Sequence, residues 1–191
     1  MSCHSCSGSI CYSCLMKIYV IRHGLTLLNK KGIINGHIGD ELAPEGIEQA
    51  RMAASSMPKT IKHIYSSPLN RAKQTAEIIN ETLKAELSFL DGLKEVSFGV
   101  LDGTPFLDEY KEKHRSQKYD WRPSGEDVEG VRSRVLHALG QIKQESGDGE
   151  ALVVTHGGIV RMLYLLQDGK PVDEIENASL HSFDLDKILS K

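Results

Sequence analysis

The apolar positions along the chain follow two alternating rhythms. Lys17-Ile18-Tyr19-Val20-Ile21 and Ala151-Leu152-Val153-Val154 are short apolar runs of strand length, the pattern of strands buried in a sheet. The second run passes into Gly157-Gly158 and a helical pattern over Ile159–Leu166. Between the two lie a short strand over Lys62–Tyr65, a helix after Ser66-Ser67-Pro68, a further strand at 86–89 and a long helix over 126–145. In the helix after Pro68, Leu69, Ala72, Ala76, Ile79 and Leu83 recur at helical spacing. Another amphipathic helix starts near Pro44-Glu45-Gly46, where proline suits the first turn. Ser179 to Leu185 alternates polar and apolar residues, which predicts an edge strand. Strands alternating with helices predict an α/β fold, with a mostly parallel sheet and helices on both faces. The chain shows neither an internal repeat nor a long linker, so a single domain is expected.

Composition changes this picture at one end only. The 191 residues are 40% apolar and 26% charged, ordinary values for a folded domain. A formal net charge of −3 gives no general attraction to nucleic acid or to an anionic membrane surface, so neither is expected as a partner. No apolar run approaches the roughly 20 residues that span a bilayer. Residues 1–15 stand apart: they are rich in Cys, Ser and Gly, contain no Lys, Arg, Asp or Glu, and hold all four cysteines (Cys3, Cys6, Cys11, Cys14). Met16 directly precedes the first strand, so 1–15 are expected to be an extension outside the fold and 16–191 the domain. The alternative is a thiolate metal site from the two Cys-x2-Cys pairs, but the spacer between them is shorter than in usual zinc motifs. No secretory signal is apparent. A domain without cysteine after Cys14 fits a reducing cytoplasm.

The chemistry concentrates at three strand exits, where ligands bind in sheets of this kind. The first strand ends in Arg22-His23-Gly24, the second opens into Ser66-Ser67-Pro68-Leu69-Asn70-Arg71, and the strand at 151–154 ends in Thr155-His156-Gly157-Gly158. If these strands are parallel neighbours, two histidines and two arginines converge into an anion site. Arginine offers a planar fork that grips two phosphate oxygens at once. The helix opening near Leu69 adds N–H groups and the positive end of its dipole. Gly24, Gly157 and Gly158 let the backbone approach closely. A neutral imidazole in such a site can attack phosphorus directly. The leaving group then needs a general acid, and Glu95 in Leu93-Lys94-Glu95-Val96-Ser97-Phe98-Gly99 is the candidate, provided that burial or phosphate charge keeps it partly protonated. Histidines 4, 63, 114, 137 and 181 and the arginines Arg51, Arg132 and Arg134 are expected to be structural or solvated. His37 lies in a loop beside the site. Phe106, Tyr110, Tyr119 and Trp121 read either as a lid or as ordinary packing.

These residues, taken together, resemble the histidine phosphatase superfamily, which includes the cofactor-dependent phosphoglycerate mutases. Arg22-His23-Gly24-Leu25-Thr26-Leu27-Leu28-Asn29 looks like its opening signature, and Ser66 to Glu77 like its second block. Glu95 with Phe98-Gly99 and Asp102-Gly103 is similar to the acid block, and Val153 to Gly158 to the last. The blocks stand in family order across nearly all of residues 17–191. The resemblance implies a phosphoglycerate mutase-like, three-layer α/β/α sandwich with one antiparallel edge strand. It implies His23 as nucleophile, and Arg22, Arg71 and His156 as catalytic and phosphate-binding residues. Glu95 would be the proton donor, with Asn29 and Gly157 as substrate contacts, and neither metal nor cofactor would be required. The implied activity is that of a histidine-type acid or broad-specificity phosphatase acting on a small phosphomonoester, with a homodimer left open. Phosphoglycerate mutase-type transfer and a catalytically silent phosphate-binding protein are the alternatives. Glu95 is followed by Val96-Ser97-Phe98 rather than a Glu-Arg-His-Tyr-like block, and the connection to Pro123-Ser124-Gly125-Glu126 is short. Both features favour water as acceptor. Leu25, Gly39 and Ala43 depart from the family pattern at positions of loop packing and capping. Residues 28–43 and 100–125 are expected to shape the leaving-group pocket.

Overall fold

In the computed structural model, residues 16–107, 109–110, 121, 124–147, 149–170, 172 and 174–191 are described. The expected extension 1–15 and its cysteines lie outside them.

The two most apolar runs become the middle of a five-stranded sheet. β1 (Lys17–Arg22) and β4 (Ala151–Thr155) pair in parallel, from Ile18 beside Ala151 to Arg22 beside Thr155. β2 (His63–Ser66) and β3 (Glu86–Phe89) continue the parallel ladder on the far side of β4. β5 (Leu180–Asp184) pairs antiparallel with β1 and closes the other edge, giving the order β3-β2-β4-β1-β5.

Side-chain alternation along these strands sorts two cores. Ile21, Ile64, Leu152 and Val154 face α2 (Pro44–Ser56) and α3 (Asn70–Leu83), meeting Ala54, Ala72, Ala76 and Ile79. Ile18, Val20, Tyr65, Ala151 and Val153 face the opposite layer. That layer holds α4 (Val128–Ser146), α5 (Gly157–Asp168) and the short α6 (Leu185–Leu189). The three-layer α/β/α sandwich and its antiparallel edge strand are therefore present. Pro44 begins α2 as expected, and α4 starts behind Asp127, whose side chain accepts the Gly130 N–H. The expected edge strand ends at Asp184, which caps α6 by accepting the Lys187 N–H.

Between β1 and α2 a short α1 (Leu27–Lys30) forms on a capping box, with the Thr26 and Asn29 side chains each taking the other's backbone N–H. No helix among the described residues is long and apolar enough to cross a membrane.

Candidate active site

The β1–β4 ladder sets the site's first distance. The His23 backbone N–H donates to Thr155 O at 2.9 Å, one residue past the strand ends, and His156 follows β4 as the N-cap of α5. The two imidazoles lie 5.2 Å apart, tilted by 58°. The backbone around His23 is held on both sides. Asn177 Nδ2 and the Ala178 N–H donate to His23 O at 3.1 and 3.2 Å, and the Gly24 N–H donates to Thr75 Oγ1 at 3.1 Å.

The ring's own contacts fix its tautomer. His23 Nδ1 lies 2.8 Å from Gly24 O, an acceptor, so Nδ1 carries the hydrogen. Nε2 is the unprotonated nitrogen, and it accepts Arg71 Nε–H at 3.2 Å. Burial, reinforced by Arg22 and Arg71, holds the imidazole well below its ordinary value of 6.5 and therefore neutral at neutral pH. His156 is neutral for the same reason, burial first, then Arg71, His23 and Arg22. Its Nε2 is 2.7 Å from Ser67 Oγ.

Arg71, in the first turn of α3, is completely buried. Its fork is aimed by backbone carbonyls: Nη2 donates to Gly36 O at 2.7 Å and Nη1 to Ile38 O at 3.3 Å. Gly36 takes a positive φ of 45°, and a methyl there would run into the Asp102 carboxylate, so this carbonyl can be presented only by glycine. Asp102 accepts the N–H groups of His37 and Phe98, both at 3.1 Å.

Arg22 donates through Nη1 to Ile175 O. Burial pulls its guanidinium down to about 10 against the attraction of Glu95, so it remains charged at neutral pH. Among the described residues, Arg22 Nε and His156 Nδ1 are two of the three buried side-chain polar atoms with no hydrogen-bond partner. Buried, unpaired donors on a guanidinium are costly unless something anionic completes them. Gly157 borders that donor: a methyl there would sit 3.5 Å from Arg22 Nε and cover it.

Glu95 lies at the N-terminus of α5, where Oε2 accepts the Gly158 N–H at 3.2 Å and Oε1 accepts the Val96 N–H at 2.9 Å. Asn29 stands behind His23 rather than against it. Its Oδ1 accepts from the Thr26 N–H and from Asn177 Nδ2, both at 3.3 Å. The geometry thus joins Arg22, His23, Arg71, His156, Glu95 and Gly157 around one spot, with Asn29 one layer out.

One reading changes, and one that was open between two alternatives is decided. Arg134, expected to be solvated, is only 21% exposed and holds the Glu95 loop. Trp121 is buried and meets Phe98 edge-on at 4.6 Å, while Phe106 and Tyr110 pack on the same core, so these three are packing and not a lid. Tyr119 is outside the described residues. His37 Nε2 meets Glu95 O at 2.5 Å, buttressing the acid loop. Sequence reasoning also missed Asn177 and Thr75, polar residues with nothing unusual around them. The ends of the 98–125 excursion are clasped: the Glu126 N–H donates to Ser97 O at 2.9 Å and the Ser97 N–H to Glu126 Oε2 at 2.8 Å.

Comparison with known proteins gives the arrangement its class. The chain belongs to the histidine phosphatase superfamily (branch 1), whose sequence profile matches residues 18–188. It is 30% identical over 183 residues to "Putative phosphoserine phosphatase 2" of Hydrogenobacter thermophilus, covering 91% of this chain and 89% of that protein. It is 32% identical over 182 residues to "Phosphoglycerate mutase-like protein 4" of Arabidopsis thaliana, covering 88% and 79%. Among solved structures, a phosphoglycerate mutase from Thermus thermophilus superposes with a TM-score of 0.70 at 27% identity, over 88% of this chain and 93% of that one. A mycobacterial glucosyl-3-phosphoglycerate phosphatase complexed with VO3 shares the fold, with a TM-score of 0.77 at 23% identity over 90% and 94%.

Proposed function

We propose that this protein is a phosphomonoesterase that hydrolyses a small phosphorylated metabolite through a phosphohistidine on His23. The observation that carries the reading is the state of His23: a neutral, buried imidazole whose unprotonated Nε2 sits on Arg71, close to an Arg22 donor that has no partner. The arriving phosphoryl oxygens take Arg22 Nε–H and the Arg71 N–H groups not spent on Gly36 and Ile38, and they displace the Arg71–His23 contact. The Nε2 lone pair then bonds to phosphorus as the ester P–O bond breaks, and protonated Glu95 gives its proton to the departing oxygen. Water next attacks phosphorus with Glu95 taking its proton, the P–N bond breaks, and inorganic phosphate leaves. Positioning and charge neutralisation supply most of the rate. The two guanidiniums supply the charge that a metal supplies in many phosphoryl-transfer enzymes, so turnover is independent of added metal.

The short clasped connection after Glu95 supports water as acceptor. The relatives named as phosphoglycerate mutases support the competing route, in which the phosphoryl group returns to the substrate. Phosphoserine and a glucosyl phosphoglycerate, taken from the relatives' names, head the substrate panel. The lack of cysteine in the domain fits a reducing, cytoplasmic setting.

The test is phosphate release from an aryl phosphate and a panel of metabolite phosphates with excess chelator, for wild type and His23→Ala. Chelator-resistant release that vanishes in the variant, together with an acid-labile phosphoenzyme in wild type, is the expected result. Release that needs metal, or that survives in His23→Ala, overturns the mechanism. Phosphoryl exchange between glycerate phosphates without net release assigns the mutase route.

A further inference from the structure

We infer that Arg134 is a positioning residue that aims Glu95 at the leaving-group oxygen, an inference that rests on the reading of Glu95 as proton donor. Arg134 projects from the second turn of α4, a long helix seated on the sheet, so its starting point is rigid. From there it reaches the loop that carries Glu95. Nη1 donates to Gly92 O at 2.9 Å and Lys94 O at 2.7 Å, and Nη2 to Glu95 O at 3.0 Å. Nε and Nη2 also grip the two oxygens of Glu126, both at 3.0 Å. A guanidinium has five N–H groups, and all five are used.

Nothing in this arrangement is explained by holding α4 in place, which the apolar contacts of Val131, Val135, Ala138 and Leu139 already do. The donors converge on three carbonyls of one turn, residues 92–95, and the third belongs to Glu95 itself. Glu126 closes the other side, since its Oε2 also accepts the Ser97 N–H at 2.8 Å. The peptide on each side of the Glu95 side chain is therefore tied to one arginine–glutamate pair. His37 adds the second donor to Glu95 O. With its backbone held in this way, the Glu95 carboxyl meets the first turn of α5 at the Gly158 N–H. A lysine could not replace the fork, because one ammonium cannot span three carbonyls and a carboxylate.

The inference separates from a merely stabilising role by its dependence on the leaving group. A dinitrophenolate departs without a proton, whereas a phenolate or alkoxide needs one. The experiment measures kcat/KM of the full chain for 2,4-dinitrophenyl, 4-nitrophenyl and phenyl phosphate and for an alkyl phosphate. It does so in wild type, Glu95→Gln, Arg134→Gln, Arg134→Lys and the Glu95→Gln/Arg134→Gln double variant. The slope against leaving-group pKa is unaffected by how much of a variant is folded, because partial folding divides every rate equally. Glu95→Gln should steepen the slope. Arg134→Gln should steepen it in the same sense, losing about 10- to 100-fold more on phenyl than on dinitrophenyl phosphate, the range expected of a misaimed acid. Arg134→Lys should fall between, and the double variant should be no steeper than Glu95→Gln. If Glu95→Gln steepens the slope and Arg134→Gln lowers all substrates alike, the positioning role is wrong. If Glu95→Gln itself leaves the slope unchanged, the proton-donor reading fails and takes the inference with it.

Discussion

Gly158→Ala sets stability and catalysis against each other at a single atom. Gly158 lies in the first turn of α5 and its N–H holds Glu95 Oε2. A methyl built there would stand 3.1 Å from Val96 Cγ2 and 3.3 Å from Glu95 Cδ, and would overlap Glu95 Oε1. The obstruction is mainly the tip of a flexible side chain, so the carboxylate gives way before the helix does. Restoring a contact of about 3.5 Å moves it by roughly 1 Å. Alanine gains about 1 kcal/mol of helix propensity over glycine, and loss of the N–H to carboxylate bond costs about 1.5–3 kcal/mol. The balance leaves stability lower by no more than about 2 kcal/mol. An acid displaced by about 1 Å costs on the order of 100-fold in rate, or about 2.7 kcal/mol of barrier. Urea denaturation gives the first quantity, and kcat/KM on an alkyl phosphate in the presence of chelator gives the second. An alkyl-phosphate rate within about 3-fold of wild type, in a variant that folds normally, would refute the placement of the proton donor.

Three further outcomes follow from the geometry. His23 and His156 both have pKa values held below 6.5, and the partly buried His181 is lowered in the same sense. The unfolded chain therefore takes up protons that the folded state refuses. Stability is intact above about pH 7 and falls as pH drops through 6.5, by up to about 1.4 kcal/mol per pH unit for each of the fully buried His23 and His156, with His181 adding less; urea titrations from about pH 7.5 to 5 read it, with a shallower slope for His156→Gln. Arg71→Lys loses the fork shared by Gly36 O, Ile38 O and His23 Nε2, so kcat/KM should fall by about 100-fold or more and urea melts should show about 1–3 kcal/mol of lost stability from the carbonyls left without a donor. Gly36→Ala meets both a positive φ and the Asp102 carboxylate, so it should cost about 1–3 kcal/mol in urea melts and weaken turnover through Arg71.

The sheet and the strand exits that bring the candidate site together were legible because their signals are local. β1 and β4 are unbroken apolar runs, and the Arg-His-Gly and Thr-His-Gly-Gly endings follow directly from them. α1 was invisible for the opposite reason: four residues cannot show a helical period, and its box uses Asn29 where Glu or Gln is the usual signal. Arg134 shares the surface pattern of Arg132, yet one is a hub and the other pairs with Glu129 near the chain's end. Only the turn at 92–95, brought over α4 by the fold, distinguishes them. Asn177 is hidden likewise, since its work is done on a carbonyl at the other end of the domain. The sequence left lid and packing open for Trp121 because aromatic residues in a loop carry no record of which way they face.

The Ser97–Glu126 clasp has a consequence for how new specificities arise. Because Ser97 and Glu126 are already joined at the base of this segment, the stretch between Tyr110 and Trp121 can be exchanged while Phe98, Phe106, Tyr110 and Trp121 keep their contacts with the core. Doubling the length of such a loop costs only about 0.6 kcal/mol in closure entropy. His23, Arg22 and Arg71 are anchored elsewhere, on the parallel ladder and on α3. A segment grafted between Tyr110 and Trp121, with the Asp102 buttress and the Phe98–Trp121 packing kept, would therefore act as a replaceable cartridge, changing what the site admits while the residues at the strand exits stay as they are.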